Sequence, residues 1–132
     1  MTITAEQAVD LARSFHSACV QVGLYRFENY STMSKAEREA IERSQWDLLN
    51  ASMDMTTRAV GLRLDEIGQS VVGLNTAVKR ATTAIKTIES VKKAINIAAV
   101  VVDLSLAIMS KNPQGVLQSV SKLAKLLGDD VG

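Results

Sequence analysis

The chain has 132 residues, of which 47% are hydrophobic but only 4% aromatic, and it carries one proline, one cysteine and a net charge of +1. This length suits a single domain, and the shortage of aromatic residues predicts a core of aliphatic side chains and methionine, which favours close-packed helices. The single cysteine excludes an intramolecular disulfide and leaves the redox compartment open, with a reducing one slightly favoured.

The first predicted helix follows Thr4-Ala-Glu-Gln7, which has the layout of a capping box. Apolar residues then recur at helical spacing, so we predict a helix from about Ala5 to Val22 that can continue toward Phe27. The side chains expected to face the core are Ala8, Leu11, Ala12, Phe15, Ala18, Cys19 and Val22.

A second capping box, Ser34-Lys-Ala-Glu37, opens a helical region that runs to residue 111 without a proline. Its first part is predicted to form one face from Ile41, Trp46, Leu49, Met53 and Val60. A continuous helix over this region would be about 110 Å long at 1.5 Å per residue, which a domain of this size cannot cover. The region therefore either breaks or makes the protein elongated and oligomeric, and we favour a break between Gly61 and Gly73.

The apolar residues from position 64 onward step by three and four in turn, which keeps one stripe facing a partner helix. The stripe consists of Leu64, Ile67, Val71, Leu74, Val78, Ala81, Ile85 and Ile88. If the central helices are long, few large side chains elsewhere can cover this stripe, so we predict a dimer or larger oligomer that is joined partly along it. Replacing Ile85 with Asp would then disrupt association, since it buries an unpaired charge.

The most apolar segment, residues 94–109, is followed by the clearest helix boundary in the sequence. In Asn112-Pro113, the Asn is a good N-cap and the Pro suits the first helical position. The last helix is predicted to bury Val116, Leu117, Val120, Leu123, Ala124 and Leu127. Residues 129–132 are expected to fray.

These patterns predict an all-α protein, an antiparallel bundle of four to five helices with a long central helix or a helical hairpin. No extended alternation of apolar and polar residues supports a strand. We expect one helical domain over 1–132, made of a first helix and connection (1–33), a long helical region (34–111) and a last helix with its tail (112–132).

Few residues of this chain could carry out chemistry. His16 is the only histidine, and Cys19, one helical turn away, is expected to be a small core residue. Two such ligands do not complete a zinc site, and Glu37, Glu39 and Glu42 alternate with basic residues as on a solvated helix face. We therefore predict no enzymatic activity, no catalytic residue, no metal and no cofactor, and no small-molecule substrate is evident.

The charges are distributed unevenly along the chain. Residues 1–66 contain seven basic and ten acidic residues, whereas residues 67–132 contain eight basic and four acidic ones. The two halves could attract each other within a bundle or between subunits, and the basic half could meet an anionic lipid surface. The concentrated basic run from Lys79 to Lys93 has no aromatic residues for stacking on bases, so we do not expect nucleic acid as a partner.

The segment 94–109 allows two interpretations. Its 16 residues fall short of the roughly 20 that span a bilayer, and Asp103 would be costly in lipid, which favours a buried helix with a thin exposed edge at Asn96, Asp103 and Ser110. Alternatively, the lysines that flank it and the turn at Pro113 favour a membrane-active segment. A coiled-coil-like helix, an apolar segment, a turn and a returning amphipathic helix form an order of parts that resembles the α-helical pore-forming toxins, and this resemblance implies action on membranes.

We therefore expect a non-enzymatic interaction or assembly protein that self-associates through the stripe from Leu64 to Ile88, with a second copy or another protein as its partner. The alternative is a membrane-acting protein, either toxin-like or lipid-binding. The first residues lack the basic start and apolar core of a secretory signal. The expected location is the cytoplasm, or outside the cell after export without such a signal.

Overall fold

Five α-helices make up the computed structural model, which describes residues 2–128. They are α1 (Ala5–Glu28), α2 (Lys35–Arg58), α3 (Val71–Thr87), α4 (Val91–Met109) and α5 (Pro113–Leu126). Short 3-10 turns lie at Tyr30–Thr32 and Asp65–Ile67, and the described residues contain no strand apart from one isolated bridge between Thr2 and Arg63. The prediction of an all-α helical bundle is confirmed. The fraying predicted for residues 129–132 falls outside the described residues.

The helix starts that the sequence predicts are present as side-chain caps. Thr4 and Ser34 each form a complete capping box at the start of α1 and α2. Asn112 caps α5, with Pro113 as its first helical residue. Because these caps supply partners for backbone N–H groups that a helix leaves open at its first turn, they fix where the three helices begin.

The favoured break in the long helical region is confirmed at residues 59–70, between α2 and α3. Gly61 has φ of +93° there, a left-handed conformation that glycine adopts without a steric penalty. Leu64 and Ile67 consequently lie in the loop and its 3-10 turn rather than in a helix. The apolar stripe that starts at Leu64 in the sequence is therefore helical only from Val71 onward.

A second break, at residues 88–90 between α3 and α4, is not predicted by the apolar spacing. Ile88 has an extended backbone (φ −75°, ψ 137°), and Ser90 caps α4 by accepting a hydrogen bond from the Lys93 N–H. Ile88 nevertheless packs against the core. The apolar spacing therefore continues across the turn, and the turn cannot be detected from this spacing. The signal in the sequence is Ser90 itself, a residue type that favours N-caps over helix interiors.

The N-terminal segment holds the loop between α2 and α3 in place through backbone hydrogen bonds. The Ile3 N–H donates to the Leu62 carbonyl at 3.0 Å, and the Ile3 carbonyl accepts from the Gly61 N–H at 2.9 Å. The side chain of Ile3 is only 1% exposed and belongs to the core. These contacts pair backbone groups that the end of α2 would otherwise leave open.

One aliphatic core joins the five helices. α1 packs against α2 and α3, α2 also packs against α4, and α4 packs against α5. α1 and α2 are antiparallel, since Cys19 contacts Gln45 whereas Arg26, later in α1, pairs with Glu42, earlier in α2. The largest fully buried side chains are Phe15, Ile3, Leu11, Ile41, Leu48, Met55, Leu62, Leu74, Ile85, Ile97, Leu104 and Ile108.

The buried face of α2 differs from the predicted one. Ile41 is fully buried, and so are Leu48 and Met55, which follow it at intervals of seven residues. Trp46 and Met53 are 57% and 68% exposed. The prediction is wrong for these two residues because it groups large apolar side chains that point in different directions around the helix.

α4 contains the apolar segment and is largely covered by α2 and α5. Its exposed edge includes Asn96, Asp103 and Ser110, as the buried-helix interpretation predicts. The hydroxyl of Ser105, the buried polar residue in this segment, donates to the Val102 carbonyl at 2.6 Å. Most apolar side chains of α4 are therefore core residues in this fold, whereas Leu106 is 53% exposed.

The exposed position of Asp103 gives a stability prediction. We expect Asp103→Leu to change the free energy of unfolding by less than about 0.5 kcal/mol, as surface substitutions usually do. Val101→Asp is the matched control, because Val101 is 1% exposed and an unpaired carboxylate there is buried. Urea unfolding followed by circular dichroism measures both. A large loss for Asp103→Leu would mean that Asp103 has a structural partner.

Candidate interaction surface

The predicted interface stripe lies in the interior of the chain. The residues that are fully or nearly fully buried are Leu64, Leu74, Val78, Ala81 and Ile85. Those that are partly buried against the same core are Ile67, Val71 and Ile88. Because α1, α4 and α5 pack against α3, the premise that little else could cover the stripe is wrong. In this fold the five buried side chains leave no surface for a second copy, whereas Ile67, Val71 and Ile88 remain partly exposed.

His16 and Cys19 lie one turn apart on α1 in opposite surroundings. His16 is exposed, whereas Cys19 is buried, and the Cys19 thiol donates to the Gln45 carbonyl at 3.3 Å. Burial raises the pKa of this thiol, which reduces its reactivity and its use as a metal ligand. Cys19 is a small core residue, as predicted. Across residues 2–128, no group of three His, Cys, Asp or Glu residues is placed to hold a metal ion.

Exposed apolar side chains gather on the outside of the hairpin formed by α1 and α2. Val20, Leu24 and Phe27 follow one another on α1 at steps of four and three residues, and Trp46 and Met53 lie seven apart on α2, so each set occupies one side of its helix. Phe27 is 83% exposed, and the other four are between 48% and 68% exposed. We call these five residues the outer hairpin face.

Contacts between the two helices bring the two sets together. The Cys19 thiol lies against the Gln45 carbonyl, which places the next residues, Val20 and Trp46, at the same level of the hairpin. The side chain of Gln45 fills the space beside Gly23, because a Cβ added to Gly23 would lie 2.7 Å from Gln45 Nε2. Side chains on the outer edges of α1 and α2 therefore form one surface.

The end of the hairpin near Phe27 is held by polar contacts. Arg26 pairs with Glu42 at 3.1 Å. The Arg38 guanidinium lies 4.0 Å over the Tyr30 ring, and its Nε donates to the Tyr30 carbonyl at 2.8 Å. These contacts link the last turn of α1, the 3-10 turn and the first turns of α2, so Phe27 projects from an anchored segment.

The sequence carried a signal for the outer hairpin face that apolar periodicity alone did not detect. Trp46 and Met53 are out of register with the repeat of Ile41, Leu48 and Met55, and Phe27 comes after the end of the predicted first helix. Three of the five aromatic residues in the chain are 48% exposed or more, namely Phe27, Tyr30 and Trp46. Aromatic residues placed outside the core register are typical of binding surfaces.

Two further findings bear on function. Within residues 2–128, no helix combines the length and the hydrophobicity needed to cross a bilayer. Comparisons with protein family models, curated proteins and solved structures find no match to this chain. The chemistry of its exposed surfaces is therefore the basis for proposing a function.

Proposed function

We propose that this chain is a non-enzymatic assembly protein that binds a second copy of itself through the outer hairpin face. The observation that carries the proposal is the exposure of Val20, Leu24, Phe27, Trp46 and Met53 on two adjacent helices. Single exposed apolar residues are ordinary on a protein surface. Five on one face of one hairpin, with Trp, Phe and Met among them, have the composition of the buried centre of an interface.

The charges around the outer hairpin face suit a second copy. The exposed residues of α2 that flank Trp46 include Lys35, Glu39 and Arg43, which carry both signs. In a two-fold interface the same patch meets itself, so a patch of one sign would repel its copy, whereas a mixed patch can pair with it. The exposed side of α3 carries only positive charges and is a poor surface for the same contact.

The dimensions of the hairpin also suffice for a dimer. A stable interface buries about 800 Å² on each partner, which is about a ninth of the 7252 Å² surface of the chain. α1 and α2 have 24 residues each, hence lengths of about 36 Å, and neighbouring helices lie about 8–10 Å apart. Two such hairpins packed face to face would form two layers of two helices each, as in a four-helix bundle.

The test is the oligomeric state of matched variants. We expect the wild-type chain to be a dimer and Trp46→Glu/Met53→Glu to be a folded monomer, because each substitution places a charge in the interface and removes an anchor worth about 2 kcal/mol or more. The control is Val72→Glu/Leu106→Glu, which adds the same charge at exposed apolar residues on α3 and α4 and should leave the dimer intact.

Sedimentation velocity over a wide concentration range measures the association, and circular dichroism confirms that each variant is folded. A monomeric wild-type chain at the highest concentration would refute self-association. Equal dissociation of both double variants would show that net charge, and not the outer hairpin face, controls assembly.

A further inference from the structure

In the described part of the chain, acidic residues predominate in the first two helices and basic residues in the last three. Residues 71–128 contain eight lysine or arginine residues and only two acidic ones, Glu89 and Asp103. Neither α3 nor α5 contains an acidic residue. Residues 2–70, in contrast, contain more acidic than basic side chains. Neither α3 nor α5 therefore contains a carboxylate of its own that could pair with its cations.

The cations of α3 share its exposed side. This side, which we call the α3 ridge, consists of Val72, Thr76, Lys79, Arg80, Thr83, Lys86 and Thr87. It lies opposite the buried residues Leu74, Val78 and Ile85, as helical spacing requires. The ridge thus presents cations interleaved with threonine hydroxyls, the side-chain types that contact phosphate oxygens.

Two clefts flank the α3 ridge and share Lys79 and Thr83. One, of about 430 Å³, lies on the side of Leu127 and is otherwise lined by ridge residues and Ala84. The other, of about 620 Å³, lies between α1 and α3 and is lined by Asp10, Arg13, Ser14, Ser17, Asn75, Lys79, Thr82 and Thr83.

The cleft between α1 and α3 is equipped to donate hydrogen bonds. Ser14 Oγ donates to Asn75 Oδ1 at 2.6 Å, which engages the oxygen of that amide and leaves its NH₂ group as a donor. Arg13 adds a guanidinium, and the carboxylate of Asp10 lies 4.0 Å from it. With Lys79, the cleft holds two cations against one carboxylate, which favours an anion.

We propose that the α3 ridge docks the protein on an anionic lipid bilayer by binding its phosphate groups. Val72, which is 76% exposed at the start of the ridge, can enter the boundary between headgroups and acyl chains. No aromatic residue follows Trp46 in the sequence, so the ridge has no platform for stacking on nucleic acid bases. The α3 ridge contains none of the residues of the outer hairpin face, and the attachment is peripheral, since no helix within residues 2–128 is long and apolar enough to cross a bilayer.

Flotation with vesicles tests this docking surface on the full-length chain. We expect binding to phosphatidylcholine vesicles that contain phosphatidylserine, little binding to phosphatidylcholine alone, and release as salt increases. Lys79→Glu/Lys86→Glu should weaken the binding at low salt at least about 25-fold, since each of the two cations near an anionic surface contributes roughly a factor of five. The matched control, Arg58→Glu/Lys111→Glu, changes two exposed cations outside both the α3 ridge and the outer hairpin face; it makes the same change in net charge and should retain the binding.

Three outcomes would overturn the proposal. Absence of binding at low salt would exclude docking on lipid, and equal weakening by both double variants would assign it to net charge alone. Tighter binding to a DNA duplex than to the vesicles, measured by fluorescence anisotropy, would make nucleic acid the ligand. Because Trp46→Glu/Met53→Glu leaves the ridge intact, its separate measurement distinguishes a failure of docking from a failure of self-association.

Discussion

Ile85→Asp is expected to unfold the chain rather than to separate folded subunits. Ile85 is fully buried on α3, and truncation of such a residue to alanine alone costs about 2–5 kcal/mol. An unpaired carboxylate adds a desolvation cost of several kcal/mol, so the sum reaches the total stability of a typical domain, about 5–15 kcal/mol. Loss of helical signal and of a cooperative thermal transition would show this result.

The control for this substitution lies at the next residue. Lys86→Asp places the same carboxylate at an exposed position of α3, where we expect a loss of at most about 1 kcal/mol from the last turn of the helix. If Ile85→Asp instead gave a folded monomer while the wild type is a dimer, the stripe from Leu64 to Ile88 would be an interface after all and the buried position of Ile85 would be incorrect.

Ile3→Ala is expected to cause the second large effect, a loss of about 2–5 kcal/mol in the free energy of unfolding. The side chain of Ile3 is 1% exposed, and its backbone makes two hydrogen bonds to Gly61 and Leu62. Loosening this segment should also reduce hydrogen-exchange protection of the Gly61 amide, which donates to the Ile3 carbonyl, and of the amide of residue 3, which donates to the Leu62 carbonyl.

Thr2→Ala is the comparison for Ile3→Ala, since Thr2 is exposed beside it. We expect Thr2→Ala to leave both the unfolding midpoint and the amide protection nearly unchanged. Urea unfolding and hydrogen exchange measure the two effects. A loss below about 0.5 kcal/mol for Ile3→Ala, the range of ordinary surface substitutions, would show that the N-terminal segment does not hold the loop.

The sequence predicts best those features whose physical cause is local. Thr4, Ser34 and Asn112 each cap a helix because their side chains accept a hydrogen bond from a backbone N–H three residues later. The exposed edge of α4 at Asp103 also follows from helical spacing within one segment. No tertiary contact is needed to derive any of these.

Features that depend on tertiary contacts were harder to predict. The spacing from Leu64 to Ile88 is that of a helix in contact with a partner, and it is the same whether the partner belongs to this chain or to another. In the structure the contact is internal, and the spacing continues through a loop at Leu64 and a turn at Ile88 because both side chains still pack on the core.

The candidate surfaces were predictable only in part. The excess of basic residues after residue 66 indicates a charged surface, but only the exposure of Lys79, Arg80 and Lys86 on one side of α3 concentrates it into a ridge. Periodicity predicts Trp46 as part of a buried face, because an apolar pattern does not distinguish a side chain that fills a core from one that remains exposed. The register set by Ile41, Leu48 and Met55 makes that distinction.

The exposed position of the single tryptophan decides what its fluorescence reports. Trp46 is 57% exposed in a single folded chain, so in a monomer its indole is already in contact with water, and unfolding of the monomer should change its emission little. Contact with a second copy would remove that water and shift the emission toward shorter wavelengths. If the chain self-associates as proposed, its intrinsic fluorescence would record occupancy of the outer hairpin face, and a flat fluorescence trace during denaturation of the monomer is no sign of an unusually stable fold.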